Sequence, residues 1–179
     1  MEISSQVQLP YPREQVYRTY RDRLPELVAW MPNVRQIDLK ERSEQPNTLD
    51  MVLVWHGGGE IPAAARALLS EAMLSWTDYS HWDDQGYRTQ WRIAPHAFTE
   101  AIDCQGENQF IATADGTIIT SRGHLRIDPK HIHGVPSFLA GIIARTVEDY
   151  LGQQIEPNFQ QLAASVAAFL AVTYHVSPE

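Results

Sequence analysis

From Val135 to Thr173 the apolar positions recur every three or four residues. Phe138, Leu139, Ile142, Ile143, Val147, Tyr150, Leu151 and Ile155 lead into Phe159, Leu162, Val166, Phe169 and Leu170, which makes one stripe along a helix. Pro136 suits a first helical turn, and Ser137 offers a hydroxyl to the exposed backbone donors there. Run straight, such a helix spans about 55 Å, longer than a small domain is wide. Pro157 cannot donate to the carbonyl of Gln153, so a bend is predicted there. A helix this long with one apolar side needs an equally long apolar surface to cover.

The preceding chain supplies short alternating segments. Glu2 to Leu9 sets polar Glu2, Ser4, Gln6 and Gln8 against Ile3, Ser5, Val7 and Leu9, the period of a half-buried strand. Pro12 opens a predicted helix to about Trp30, interrupted at Pro25. Strands are predicted over Val34 to Arg42 and Leu49 to His56, separated by a turn that contains Pro46. Gly57-Gly58-Gly59 then marks a sharp exit from the strand, and Ala63 to Met73 reads as a short helix with Ala64, Leu68 and Ala72 inward. About five more strands follow: Leu74 to Trp82, Gly86 to Ile93, Phe98 to Cys104, Gln109 to Thr113 and Thr117 to Ile127. Turn residues such as Gln105-Gly106-Glu107-Asn108 and Ala114-Asp115-Gly116 separate them. Short links between consecutive strands imply antiparallel neighbours, and runs of strands flanked by helices make the class α+β.

At 179 residues the chain has room for one domain, expected to be 1–179, with a real core. A formal charge of −8 with no basic run argues against a nucleic-acid partner. Cys104 is the single cysteine, so the fold calls for no internal disulfide. With no signal-peptide pattern and no apolar run of membrane-spanning length, the expected location is cytoplasmic.

The order strand, helix, two strands, short helix, several strands and a long closing helix resembles the START-like or SRPBCC (helix-grip, birch-pollen-allergen-like) superfamily. That resemblance implies a curved seven-stranded antiparallel sheet wrapped around the C-terminal helix, short helices after strands 1 and 3, and an apolar cavity between sheet and helix. It also brings in lipid binding and polyketide-cyclase-like chemistry as expectations. More narrowly, Met51-Val-Leu-Val-Trp55, the glycine turn, Ile61-Pro62, the short helix to Met73 and the tryptophan-bearing strand after it resemble PRELI-type lipid-transfer proteins. Those proteins carry glycerophospholipids between membranes with a small helical partner, so transient membrane contact is compatible with the resemblance.

Alternation places Trp55, Tyr87, Trp91, Ile93, Phe98, Ile102, Phe110, Ile119, Leu125 and Ile127 on the inner face, where aromatic side chains make a good wall for a flat or acyl ligand. Thr89 and Ser121 share that parity and could anchor a polar end. Leu139 and Ile143 would face them from the helix. The candidate ligand-binding set is therefore Trp55, Tyr87, Thr89, Trp91, Phe98, Ile119, Ser121, Leu139 and Ile143. Arg88, Arg92, Arg122, His124 and Arg126 fall on the opposite parity, the solvated outer face.

No catalytic residue stands out. Cys104 has no base nearby in sequence, no serine sits in a Gly-x-Ser-x-Gly elbow, and Glu100 and Asp103 point to opposite faces. Asp78, between Trp76 and Trp82, is a lead as an isolated carboxyl. His131 and His133 lack a third and fourth ligand at metal-binding spacing, and the triple glycine lacks the ending of a phosphate loop, so neither metal nor cofactor is expected.

Three functions remain open. The first is binding or carriage of a hydrophobic small molecule, a lipid or polycyclic compound, with Gly57 to Met73 or Asp128 to Ser137 moving as a lid. The second is a cyclase- or aromatase-like enzyme using the same cavity, and an inward carboxylate or histidine would favour it. The third is a protein-interaction module with a filled interior, its partner unknown.

Overall fold

A computed structural model of the chain describes residues 1–58, 70–132 and 136–174, apart from the side chains of Ser137, Ile143, Val147, Tyr150, Leu151 and Gln154 in the last helix. Seven strands form one antiparallel sheet in the order β1-β7-β6-β5-β4-β3-β2. They are β1 (Glu2–Leu9), β2 (Val34–Gln45), β3 (Thr48–Gly57), β4 (Ser75–Asp83), β5 (Arg88–Pro95), β6 (Ile102–Thr113) and β7 (Gly116–Ile127). Helix α1 (Arg13–Asp22) and a 3₁₀ segment (Leu24–Trp30) follow β1, a single turn α2 (Glu71–Leu74) precedes β4, and α3 (Ser137–Tyr174) closes the chain. This is the α+β helix-grip architecture.

Alternation determines which side of each strand is buried. Along β3, Leu49, Met51, Leu53 and Trp55 are buried while Asp50 is exposed and Val52, Val54 and His56 are half-buried. Pairing carries that parity across the sheet. Leu53 lies opposite Asp78, and Asp78 opposite Ile93. Ile93 lies opposite Cys104, and Cys104 opposite Leu125. The arginines sort as their parity requires: Arg88, Arg92, Arg122 and Arg126 are all exposed.

Two sequence expectations are corrected. Phe98 to Cys104 and Gln109 to Thr113 are not separate strands, because β6 runs unbroken from Ile102 to Thr113 through Gly106. Gly106 is there to make room. A Cβ on it would lie 2.3 Å from the Arg122 carbonyl oxygen and 2.6 Å from the Trp91 ring, and one on Gly123, its partner across the ladder, 3.0 Å from that ring. The Trp91 indole thus lies against two glycines, a close approach that no other residue allows.

The second correction concerns the start of the long helix. There Ala140 and Ala144 are buried, and Ala144 packs with Ala101, Ile127 and Ile132. Phe138 is 77% exposed and Ile142 64% exposed, so these two large apolar residues do not line the inner face. Small side chains are what let the helix come close to Ala101 and Ile132. Farther along, α3 continues through Pro157, and Ala163, Val166 and Leu170 enter the main core as the stripe requires.

Candidate ligand-binding site

The inner face divides into two ends. At one, α1 and the C-terminal part of α3 lie over Leu9, Leu49, Trp82, Phe110, Thr117 and Ile119, all buried. Phe110 is fully buried, with edge-on contacts to Tyr17 at 5.2 Å and Tyr20 at 5.3 Å, and Trp82 lies 6.3 Å away. Each such pair adds roughly 0.5–1.5 kcal/mol beyond the area it buries. The rim is closed by Arg21, whose guanidinium reaches Glu44 at 2.9 Å, Asp22 at 2.8 Å and Asp84 at 3.0 Å. The described side chains of this end are closely packed.

At the other end, Trp76, Asp78, Trp91, Ile93, Ile102, Cys104 and Ile127 also face inward, yet each is only half-buried. Part of the surface of each is therefore left uncovered by protein atoms. Trp55 and Trp76 stack at 5.7 Å with 17° between their planes. Trp91 borders the filled end: its Nε1 donates to Asn108 Oδ1 at 3.1 Å and its ring lies 6.1 Å from Phe159 of α3.

Two buried polar atoms here have no hydrogen-bond partner, Asp78 Oδ1 and Trp55 Nε1. A buried carboxyl among apolar neighbours resists ionisation, and burial alone pushes Asp78 up to about 7. Cys104 is inert by comparison. Burial first, and then the Asp103 carboxylate, push its thiol up to about 11, far from the thiolate a nucleophile needs. Among the described residues of β1 and β3 to β7, Asp78 and Cys104 are the titratable groups that face inward.

The candidate set divides accordingly. Trp91 belongs to the half-buried set, while Trp55 is buried in the main core with Trp76 packed against that core. Ser121 and Thr89 are inward and buried on the neighbouring row, where Thr89 donates to the Gln90 carbonyl at 3.4 Å. Ile119 is in the filled core. Leu139 lies at the start of α3, 36% exposed, and the Ile143 side chain falls outside the described residues. Two aromatic positions are corrected. Tyr87 precedes β5 with φ 48°, and its hydroxyl donates to Glu14 at 2.6 Å under the Arg13 guanidinium, at the filled end. Phe98 has φ 58°, is 47% exposed, and caps a 3₁₀ turn (Thr99–Ala101) rather than a strand.

The histidines have structural partners. His56 faces outward, with Nδ1 2.8 Å from Glu71 and Nε2 3.3 Å from Asp38. With His56, Ser75 and Arg35 around it, Glu71 is held down at about 2. His131 lies 3.1 Å from the Asp128 carboxylate, while His133 falls outside the described residues, as do 59–69 and with them most of the segment expected to act as a lid. A shallow depression of about 820 Å³ also opens on the outer face over Gly106 and Gly123. Several of its polar side chains already pair with neighbours: His81 with Asp50 at 2.7 Å, His124 with Asp103 at 2.9 Å, and Arg92 over the Tyr79 ring at 4.1 Å. No helix of the described residues is long and apolar enough to cross a membrane.

No known family pattern matches the chain, and no curated protein does. Solved structures do. TTHA0849 from Thermus thermophilus superposes with a TM-score of 0.64 at 17% identity, covering 94% of this chain and 98% of that one. The Zhui aromatase/cyclase from Streptomyces sp. R1128 gives 0.64 at 12% identity over 99% of both chains. Ara h 8.0201 gives 0.62 at 12% identity over 96% of this chain and 98% of that one. The fold is START-like, the helix-grip fold of the birch-pollen-allergen-like proteins.

Proposed function

We propose that this chain binds an apolar, ring-bearing small molecule in the space between β3–β7 and the N-terminal part of α3. The observation that carries the reading is the contrast in burial along one continuous face. Inward Trp76, Asp78, Trp91, Ile93, Ile102, Cys104 and Ile127 keep accessible surface, while inward Leu49, Trp82, Phe110 and Ile119 have almost none. A stacked Trp55–Trp76 pair suits a flat ring, and burial of ligand area at roughly 25 cal/mol per Å² is the main source of affinity, before ordering costs. The neighbours in fold include an aromatase/cyclase, which supports the reading by analogy alone.

Asp78 favours a second reading, an acid/base enzyme of the cyclase or aromatase kind. A carboxyl that titrates near neutrality and lacks a protein partner can give or take a proton at a bound ring. Native mass spectrometry of freshly purified protein, followed by extraction, tests the shared premise. A copurifying ring compound at one per chain is the expected result. Repeated purification from several hosts with no adduct, and no uptake from a panel of flat apolar compounds, would overturn both readings.

A further inference from the structure

Among the described residues of the inner face, Asp78 is a charge-bearing group with a buried oxygen that has no hydrogen-bond partner, and it shares that face with indoles. Asp78 faces inward from the middle of β4, with Leu53 and Ile93 directly across from it and Trp76 and Ser80 next along the same face. Its Oδ1 has no hydrogen-bond partner, and no cationic side chain of β1 or β3 to β7 shares the inner face among the described residues. On β2, Arg42 is committed to Asp22 at 2.8 Å and to Glu44 at 3.2 Å. On α3, Arg145 is exposed and Glu148 holds the Met1 amine at 2.8 Å.

Resting on the reading above, we propose that the molecule bound in this space is a flat, mostly apolar amine whose protonated nitrogen pairs with the Asp78 carboxylate. Three independent features select a cation. A buried, orphaned carboxylate is stabilised most by a full opposite charge at close range. Trp55, Trp76 and Trp91 share the inner face with Asp78, and an indole ring face attracts cations and disfavours anions. The chain's net charge of −8 raises the local concentration of cations over anions. The second orphan, Trp55 Nε1, is a donor and so does not compete for the same nitrogen.

Calorimetric titration with two probes tests this. 9-Aminoacridine is a flat aromatic cation, and N-phenyl-1-naphthylamine is a neutral ring compound of similar size. The cation is expected to bind roughly tenfold more tightly at pH 8 than at pH 6, because Asp78 must ionise to pair with it. Asp78→Asn, nearly isosteric and uncharged, is expected to lose about tenfold of that affinity at pH 8 together with its pH dependence. Circular dichroism and a cooperative denaturant melt show that the variant is folded, and neutral-probe binding by the parent protein shows that the space is open. Displacement of one probe by the other is expected, since both occupy one space. If the neutral probe binds and the cation does not, or if the cation binds Asp78→Asn equally well, the amine assignment is wrong and the ligand space stands. If neither binds, both fail.

Discussion

The two ends of the inner face are built from the same strands by the same alternation, but they are finished differently. At the α1 end, aromatic side chains from the helix and the sheet interlock, and Phe110 is fully enclosed. At the α3 N-terminal end the described side chains that are buried are Ala140 and Ala144, and on the sheet Trp76, Asp78, Ile93 and Cys104 are half-buried. One half of the sheet therefore provides stability, and the other is free to tolerate an unpaired carboxyl that a filled core would exclude.

Substitutions can break this contrast in graded steps. Phe110→Ala is expected to cost about 3–5 kcal/mol in chemical denaturation, the consequence of a cavity in a filled aromatic cluster. Asp78→Asn acts in the other direction. The folded state holds the proton up to about pH 7, whereas the unfolded chain releases it near 3.8, so native stability falls as pH rises through that window and levels off above it. The variant is expected to gain about 2–4 kcal/mol at pH 8 and nothing below about pH 4, measured by denaturant melts across that range. An equal gain at both pH values would mean that the carboxyl is not isolated. Gly106→Ala, which drives a Cβ against Trp91 and the Arg122 carbonyl, is expected to cost roughly 1–3 kcal/mol. Ile93→Ala, in the half-buried set, should cost about 1 kcal/mol or less in the ligand-free protein, because part of that side chain already touches no protein atom. A loss as large as that of Phe110→Ala would show that the two ends are packed alike.

Strand alternation and the helical period are legible from residue types alone, and so are the outward arginines and the core contribution of Val166 and Leu170. The misreadings have local causes. Gln105 to Asn108 looks like a turn because glycine and asparagine usually mark one. Here Gly106 serves a close approach by Trp91, from a different strand, that no local window contains. Tyr87 and Phe98 read as strand residues because aromatic side chains favour strands, but both adopt positive φ, a conformation that aromatic residues seldom take. At the start of α3 the large apolar residues suggest an inward face, while steric limits at Ala101 and Ile132 select alanine. The significance of Asp78 is visible in the sequence only as a carboxyl flanked by tryptophans, since its isolation depends on pairing across three strands.

Chemical-shift mapping with N-phenyl-1-naphthylamine at pH 6 tests most directly whether the space under the first half of α3 receives a ligand. The expected result is that shifts concentrate at Trp55, Trp76, Trp91, Ile93 and Cys104, while Phe110, Tyr20 and Val166 stay still. Shifts confined to the outer-face residues Tyr79, Arg92 and Gln105, or equal disturbance of both ends, would contradict the account.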